Sequence, residues 1–278
     1  MFSNPFAELS ASISPEVMQA YVIIMILCVI GGTIFDVVHK KSAKYFFDNA
    51  EKAQSRAVKP VGGGEKMGIA VQTLASDVLT SAEFCNPKRR VAHLLGMYGF
   101  VFFVVATVAL VFGYPTAMDA SVWPFIWHLG ALMVVVGGGW FWFFIRVDVA
   151  SEGNAWHRVV RADLFILSLL ATCLTALIWS FLQQQGAGVA SALFLVLLLI
   201  SSAVLFGGVV WSKFAHMFFK PAAAFQKRVA VADGSMDNLP APADRTNPAD
   251  SDRHSMELLK DAPLNMGLGI KREQPHHY

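Results

Sequence analysis

Charge is the scarcest ingredient of this chain. Asp, Glu, Lys and Arg make up 15% of its 278 residues, against about 25% in an ordinary soluble domain. With 55% hydrophobic residues and a mean hydropathy of +0.50, that shortage excludes a typical soluble domain and points to the membrane class. Cysteine is nearly as scarce: Cys28, Cys85 and Cys173 lie far apart. No Cys-x-x-Cys occurs, which excludes a four-thiolate iron–sulfur cluster built by this chain alone, and a disulfide framework is excluded with it. Cys28 and Cys173 fall in apolar runs, where a thiol behaves as a small hydrophobe. There is no Walker A sequence, no zinc-protease motif and no nucleophile elbow. No basic residue precedes the first apolar run, so Met1 to Glu16 reads as mature sequence rather than a cleavable signal. No nucleic acid is expected among the partners.

What is present is five long apolar runs, at residues 17–38, 91–113, 122–145, 162–182 and 189–211. Each approaches the roughly 20 residues needed to cross about 30 Å of hydrocarbon. Backbone polar groups in lipid must be satisfied within the segment, so these runs are expected as helices. Alternating strands of about 10 residues, the mark of a barrel, are missing. The expected fold is therefore an all-α integral membrane protein, a five-transmembrane-helix bundle within residues 1–220. A flexible tail, 221–278, follows it.

The cations set the orientation. Ten Lys and Arg lie between Lys40 and Arg90, three between Arg146 and Arg161, and nine from Lys213 to Arg272, which together account for all 22. The N-terminus and the turns Tyr114–Ser121 and Gln183–Gly188 hold none. By the positive-inside rule the N-terminus lies outside and the tail is cytoplasmic. The expected location is the bacterial inner membrane.

Two cytoplasmic segments invite interaction. In the loop 40–90, a Gly62-Gly63-Gly64 break precedes Met67–Phe84, where Ile69, Val71, Leu74, Val78 and Leu79 recur near helical spacing. This predicts an amphipathic helix, lying on the inner interface or against a partner, or serving as a packed connector. The tail's middle is rich in Pro, Asp and Ala and is expected to be disordered. Its end carries Met256, Leu258, Leu259, Leu264, Met266, Leu268 and Ile270. It reads as a tethered docking peptide, whose spacer raises the effective concentration of what it binds, or as an unstructured end with scattered hydrophobes.

Histidines at membrane depth are functional candidates, because a polar ionisable group there costs free energy. His93 begins the second span and His216 ends the fifth, so both fall near the cytoplasmic face. Two imidazoles at one depth on different helices can hold one heme b iron axially, with Arg89, Arg90 and Lys213 available to its propionates. Gly96, Gly99, Gly207 and Gly208 would leave room for the plate. The alternative is a pair of interfacial histidines that anchor helix ends. His128, beside Trp123 and Trp127 at the outer rim, is a candidate partner for a quinone headgroup, with Trp127 beside it. It otherwise reads as an interfacial histidine bonded to backbone or lipid. His157 is a reserve ligand. Gly137-Gly138-Gly139 reads as close helix packing. Asp163 reads as a structural ion-pair partner or a proton carrier.

These residues carry a resemblance. Five helices, an outside N-terminus, CNPKRRVAHLL at the second span and KFAHMFFKP at the fifth resemble the gamma subunit of respiratory nitrate reductase and the membrane cytochromes of heterodisulfide-reductase-like complexes. The likeness covers about residues 17–220 and implies heme b, quinone chemistry and a cytoplasmic redox partner. The nitrate reductase subunit carries a second heme on further histidines. Here the matching stretches, FVFFVVATV and SALFLVLLLIS, have none, so only the inner heme carries over, to His93 and His216. SAEFCNPKRRVAHLLGMYGF and the ending NMGLGIKREQPHHY are similar to AprM-type membrane anchors associated with dissimilatory adenylylsulfate reductase. That similarity implies a soluble flavin and iron–sulfur partner whose electrons pass to quinone. The expected function is a membrane anchor and electron-transfer subunit without catalysis of its own. The rivals are a cofactor-free structural anchor and a small transporter.

Overall fold

A computed structural model describes residues 3–39, 42–82, 84, 86–148, 153–212, 216–236 and 239. The side chains of residues 42, 43, 45, 46, 216 and 218 are outside the description. So are Lys213, Cys85 and the docking peptide of the tail. Among the described residues the fold is helical throughout, and five helices are long and apolar enough to cross a membrane.

A short helix α1 (Pro5–Leu9) precedes the first span, α2 (Pro15–His39). Two helices follow, α3 (Ser42–Ser55) and α4 (Gly63–Thr73), and α4 continues through a wider turn to Leu79. The remaining spans are α5 (Pro87–Val108, continuing to Gly113), α6 (Trp123–Trp140, continuing to Ile145), α7 (Leu164–Gln184) and α8 (Gly188–Gly207). The last helix among the described residues is α9 (His216–Ala232). The expected spans recur with ends moved by four residues or fewer. The core lies where α5, α6 and α7 meet, around Trp127, Trp179, Leu110 and Val134, all essentially inaccessible.

Glycine sets the helix spacing. A Cβ on Gly99 would lie 2.7 Å from the Gly130 carbonyl, and one on Gly137 would lie 2.7 Å from the Ala92 carbonyl. A Cβ on Gly138 would meet Leu170 of α7 at 2.8 Å. Small residues at these crossings let backbones approach, and van der Waals packing drives helix association in lipid. The packing role read for Gly137 and Gly138 is thus observed. Gly99, expected to make room for a flat cofactor, instead seats α6.

Four local expectations are corrected. The fifth span stops at Gly207 rather than near Trp211. Gly207-Gly208 has low helix propensity, and the turn after it puts Val209 against Gly32 of α2, where a Cβ would come within 2.9 Å. His216 therefore opens a separate helix instead of ending the span. The Gly62–Gly64 break is a helix start, with Gly62 as the N-cap. The helical chain also runs past the expected boundary at 220, since α9 continues to Ala232 with Pro221 inside it. The polar stretch before Gly62 contains a helix, α3, that period counting passes over.

The N-terminus plugs one end of the bundle. Asn4 caps α1, accepting from the Phe6 amide at 3.1 Å, and its Nδ2 donates to the carbonyls of Tyr114 and Ala117. Phe6 then packs edge-on against Trp127 and Trp179. Gln183 donates to the Pro5 carbonyl at 3.0 Å. The signal was present in Asn4-Pro5, an N-cap followed by proline at the first helical position.

Candidate functional site

At the basic end of the bundle, α3, α4 and α9 pack together beneath the spans. Arg228 of α9 forks onto Asp77, Nε to Oδ2 at 2.9 Å and Nη2 to Oδ1 at 2.9 Å, and also donates to Ser76. Such bidentate charge-assisted pairs fix orientation as well as adding energy. The hydrogen bonds from Arg228 hold the Asp77 carboxyl below its ordinary range, against a smaller opposing effect of burial. The exposed side of α4 presents Met67, Val71 and Leu74, one turn apart along a single stripe. The sequence predicts a helix over Met67–Phe84; the helix instead runs from Gly63 to Leu79, ending before the Ser81 bend, and of the expected stripe Val71, Leu74 and Leu79 are exposed while Ile69 and Val78 are partly covered.

After Leu79 the chain folds back along α5. Tyr98 donates its hydroxyl to the Leu79 carbonyl at 2.7 Å, and Arg90 donates Nε to the Thr80 carbonyl at 2.7 Å. Ser81 adopts φ 48° at this bend, which brings its Oγ 3.0 Å from His93 Nδ1. The Phe84 ring packs on the imidazole at 4.9 Å between centroids. Two cations lie over the same Phe84 ring, Arg89 at 5.8 Å and Lys220 Nζ at 5.0 Å. Lys220 sits one helical turn after His216. The start of α9 thus comes to the segment that holds His93.

The residues around His93 suit an axial heme ligand. A ligating imidazole commonly has its other ring nitrogen held by a hydrogen-bonding group, which Ser81 supplies at Nδ1. A Cβ on Gly96, about one turn on, would meet nothing within 4 Å, so that flank of α5 is open. Arg89 and Lys220 bring positive charge beside it. Arg90, expected at a propionate, has its Nε engaged by Thr80. The His216 side chain and Lys213 lie outside the described residues. His157 is exposed in the loop, edge-on to Trp156. Among the described residues no group of three or more His, Cys, Asp or Glu could hold a bare metal ion.

His128 and Trp127 occupy a different environment from the one expected. Trp127 is fully buried, not interfacial, and donates Nε1 to Thr107 Oγ1 at 3.0 Å. His128 is 8% exposed, with Nδ1 2.7 Å from the Pro124 carbonyl and Nε2 2.8 Å from Ser180 Oγ. Both ring nitrogens are taken by protein atoms, because α6 turns this face toward α7 rather than toward the rim. The arrangement joins two helices, and the Pro124 bond is the backbone contact of the alternative reading of this histidine.

Of the two roles expected of Asp163, the structure shows the ion pair. It pairs with Arg146, a guanidinium only 1% exposed at the end of α6. Arg146 also donates to the carbonyls of Ala155 and Arg158, and lies 4.1 Å over the Trp142 ring. A buried charge persists when paired and hydrogen-bonded, and this one ties the loop between α6 and α7. Sequence reading passed over Asp36, which is 6% exposed near the basic end of α2. An acid some twenty residues into an apolar 25-residue helix is the signal for it.

A cavity of about 440 Å³ separates α2 from α5 and α8. Its wall is apolar apart from a few hydroxyls, among them Tyr21, Thr107, Thr172 and Ser202. No family model, curated protein or solved structure matches the chain.

Proposed function

We propose that this chain is a membrane anchor and electron-transfer subunit. It joins a cytoplasmic oxidoreductase to the quinone pool of a bacterial inner membrane. Its N-terminus lies outside and its tail in the cytoplasm, a reading supported by the one-sided distribution of all 22 cations. The partner is a flavin and iron–sulfur enzyme, with adenylylsulfate reductase the leading case on the sequence resemblance.

The observation that carries this reading is the junction at His93. An imidazole oriented by Ser81 and covered by Phe84 sits at the start of α5, and Lys220 of α9 reaches the same Phe84 ring. The same end bears the α3–α4–α9 platform with its exposed apolar stripe. The platform and tail recruit the soluble enzyme, which places its redox centre near the membrane face. His93 and His216 would hold heme b, and bound heme supplies one-electron transfer. Ser81 keeps the His93 ring in one orientation. Arg89 and Lys220 supply positive charge at the edge of that site. The largely apolar wall of the intramembrane cavity gives a transporter no polar midplane path, which supports the redox or anchor classes over transport.

A cofactor-free anchor is the second reading, favoured by the same Ser81 contact, since that bond alone gives His93 a structural task. A visible spectrum of the purified protein separates the two. A reducible b-type Soret band, lost in His93→Ala and in His216→Ala, is expected. A colourless protein that still recovers its enzyme from native membranes would leave only the anchor.

A further inference from the structure

We infer that the cavity between α2, α5 and α8 is a binding site for the isoprenoid tail of a membrane lipid. The helix α2 touches the bundle at separated points. Gln19 donates to the Val111 carbonyl at 3.2 Å, Tyr21 donates to the Leu199 carbonyl at 2.8 Å, and Gly32 abuts Val209. The cavity of about 440 Å³ runs along α2 between and beside these contacts. The volume falls in the range of small-molecule sites, about 300–1,000 Å³. A wall with no atoms against it forfeits dispersion contacts. Ile26 and Ile30 line the cavity and are each about half exposed, so it opens sideways beside α2, where lipid chains have access.

The chemistry of the wall selects a tail and rejects a headgroup. The four wall hydroxyls each give their single hydrogen to a protein atom. Thr107 donates to Phe103 and Thr172 to Ser168, while Tyr21 and Ser202, 2.7 Å apart, spend one proton on their mutual bond and the other on the carbonyl of Leu199 or Leu198. These hydroxyls therefore have no proton to offer a ligand carbonyl. Burying a carbonyl without a donor costs free energy, whereas an apolar chain meets no such penalty.

Length then chooses among apolar chains. Along α2 the wall runs from Val17 to Ile30, about 20 Å at ~1.5 Å per residue. On α8 it reaches Phe206, one residue from the basic end of that span, and Met217 of α9 adds to it. It therefore crosses the midplane of a hydrocarbon core of about 30 Å. A phospholipid acyl chain fills only its own half of that thickness. A polyisoprenoid tail is long enough to pass through both.

This site rests on the proposed function only in taking quinone as the lipid that brings the tail. The test uses the full chain in nanodiscs, read by native mass spectrometry of bound lipid. The probes are a long-tailed isoprenoid quinone, the same headgroup on a short saturated tail, a long polyprenol without a redox headgroup, and phospholipid alone. The long-tailed quinone and the polyprenol are expected to be retained, and the short-tailed analogue is not. Val22→Trp or Val104→Trp, each filling the wall, lowers retention about tenfold, while Ile23→Trp, off the wall, leaves it unchanged. Retention of the polyprenol with no heme spectrum would sustain this site while the redox reading fails. Equal retention of both quinones, retention of phospholipid alone, or no change on filling the wall would overturn it.

Discussion

Two buried polar residues do structural work that their place in the sequence conceals. His128 spans from Pro124 to Ser180, and Arg146 gathers Asp163 and two carbonyls. Leaving a buried polar group without its partner costs roughly 1–3 kcal/mol, and breaking a buried ion pair from one side costs about 3–5 kcal/mol. His128→Ala should therefore lower the thermal unfolding midpoint in detergent and leave any heme spectrum intact. Asp163→Asn should destabilise more, because the Arg146 charge stays buried. An Asp163→Asn protein as stable as the parent would mean that water reaches that guanidinium. His128 was noticed in the sequence as a polar residue at depth. Its burial was not legible, because a helix with apolar residues on nearly every side does not say which side faces its neighbours.

At the level of elements, close crossings and one clamp carry the arrangement. Gly99 and Gly130 face each other with no room for a methyl group. Gly99→Val should separate α5 from α6 and cost about 1–3 kcal/mol, seen as earlier unfolding in a denaturant titration. Gly139→Ala, where a Cβ meets nothing within 4 Å, should be silent. The α4–α9 clamp depends on an ionised Asp77. Its carboxyl is held below the usual range, so the contribution is fully present above the ordinary Asp value of about 3.9. It is lost as pH falls through the lower folded-state value. Arg228→Ala should raise amide exchange across 67–79 at neutral pH, as strong acid does in the parent. The existence of α4 was readable from apolar spacing. Its partner was not, since Asp77 and Arg228 lie 151 positions apart.

For the whole molecule, the one-sided charge predicts the topology. Single cysteines placed at Ala117 and at Ala187, in a background without native cysteines, should react with an impermeant thiol reagent from outside intact cells. One at Ser55 should react only after lysis. Labelling of Ser55→Cys from outside would reverse the orientation and move the His93 junction away from any cytoplasmic partner. Deleting residues 254–278 should reduce recovery of the partner enzyme from native membranes. Unchanged recovery would move docking to the α3–α4–α9 platform alone.

The sequence by itself determined the number of spans, their approximate limits and the segregation of every cation to alternate loops. Hydrophobic length and charge are local properties, and lipid reads them locally. Tertiary structure decided which glycines are crossings, that Phe6 plugs the bundle, that Trp127 and His128 turn inward, and that a cavity remains where α2 meets α5 and α8. Those outcomes depend on how helices rotate about their own axes when they pack. A segment apolar on every face leaves that rotation open until its neighbours are in place.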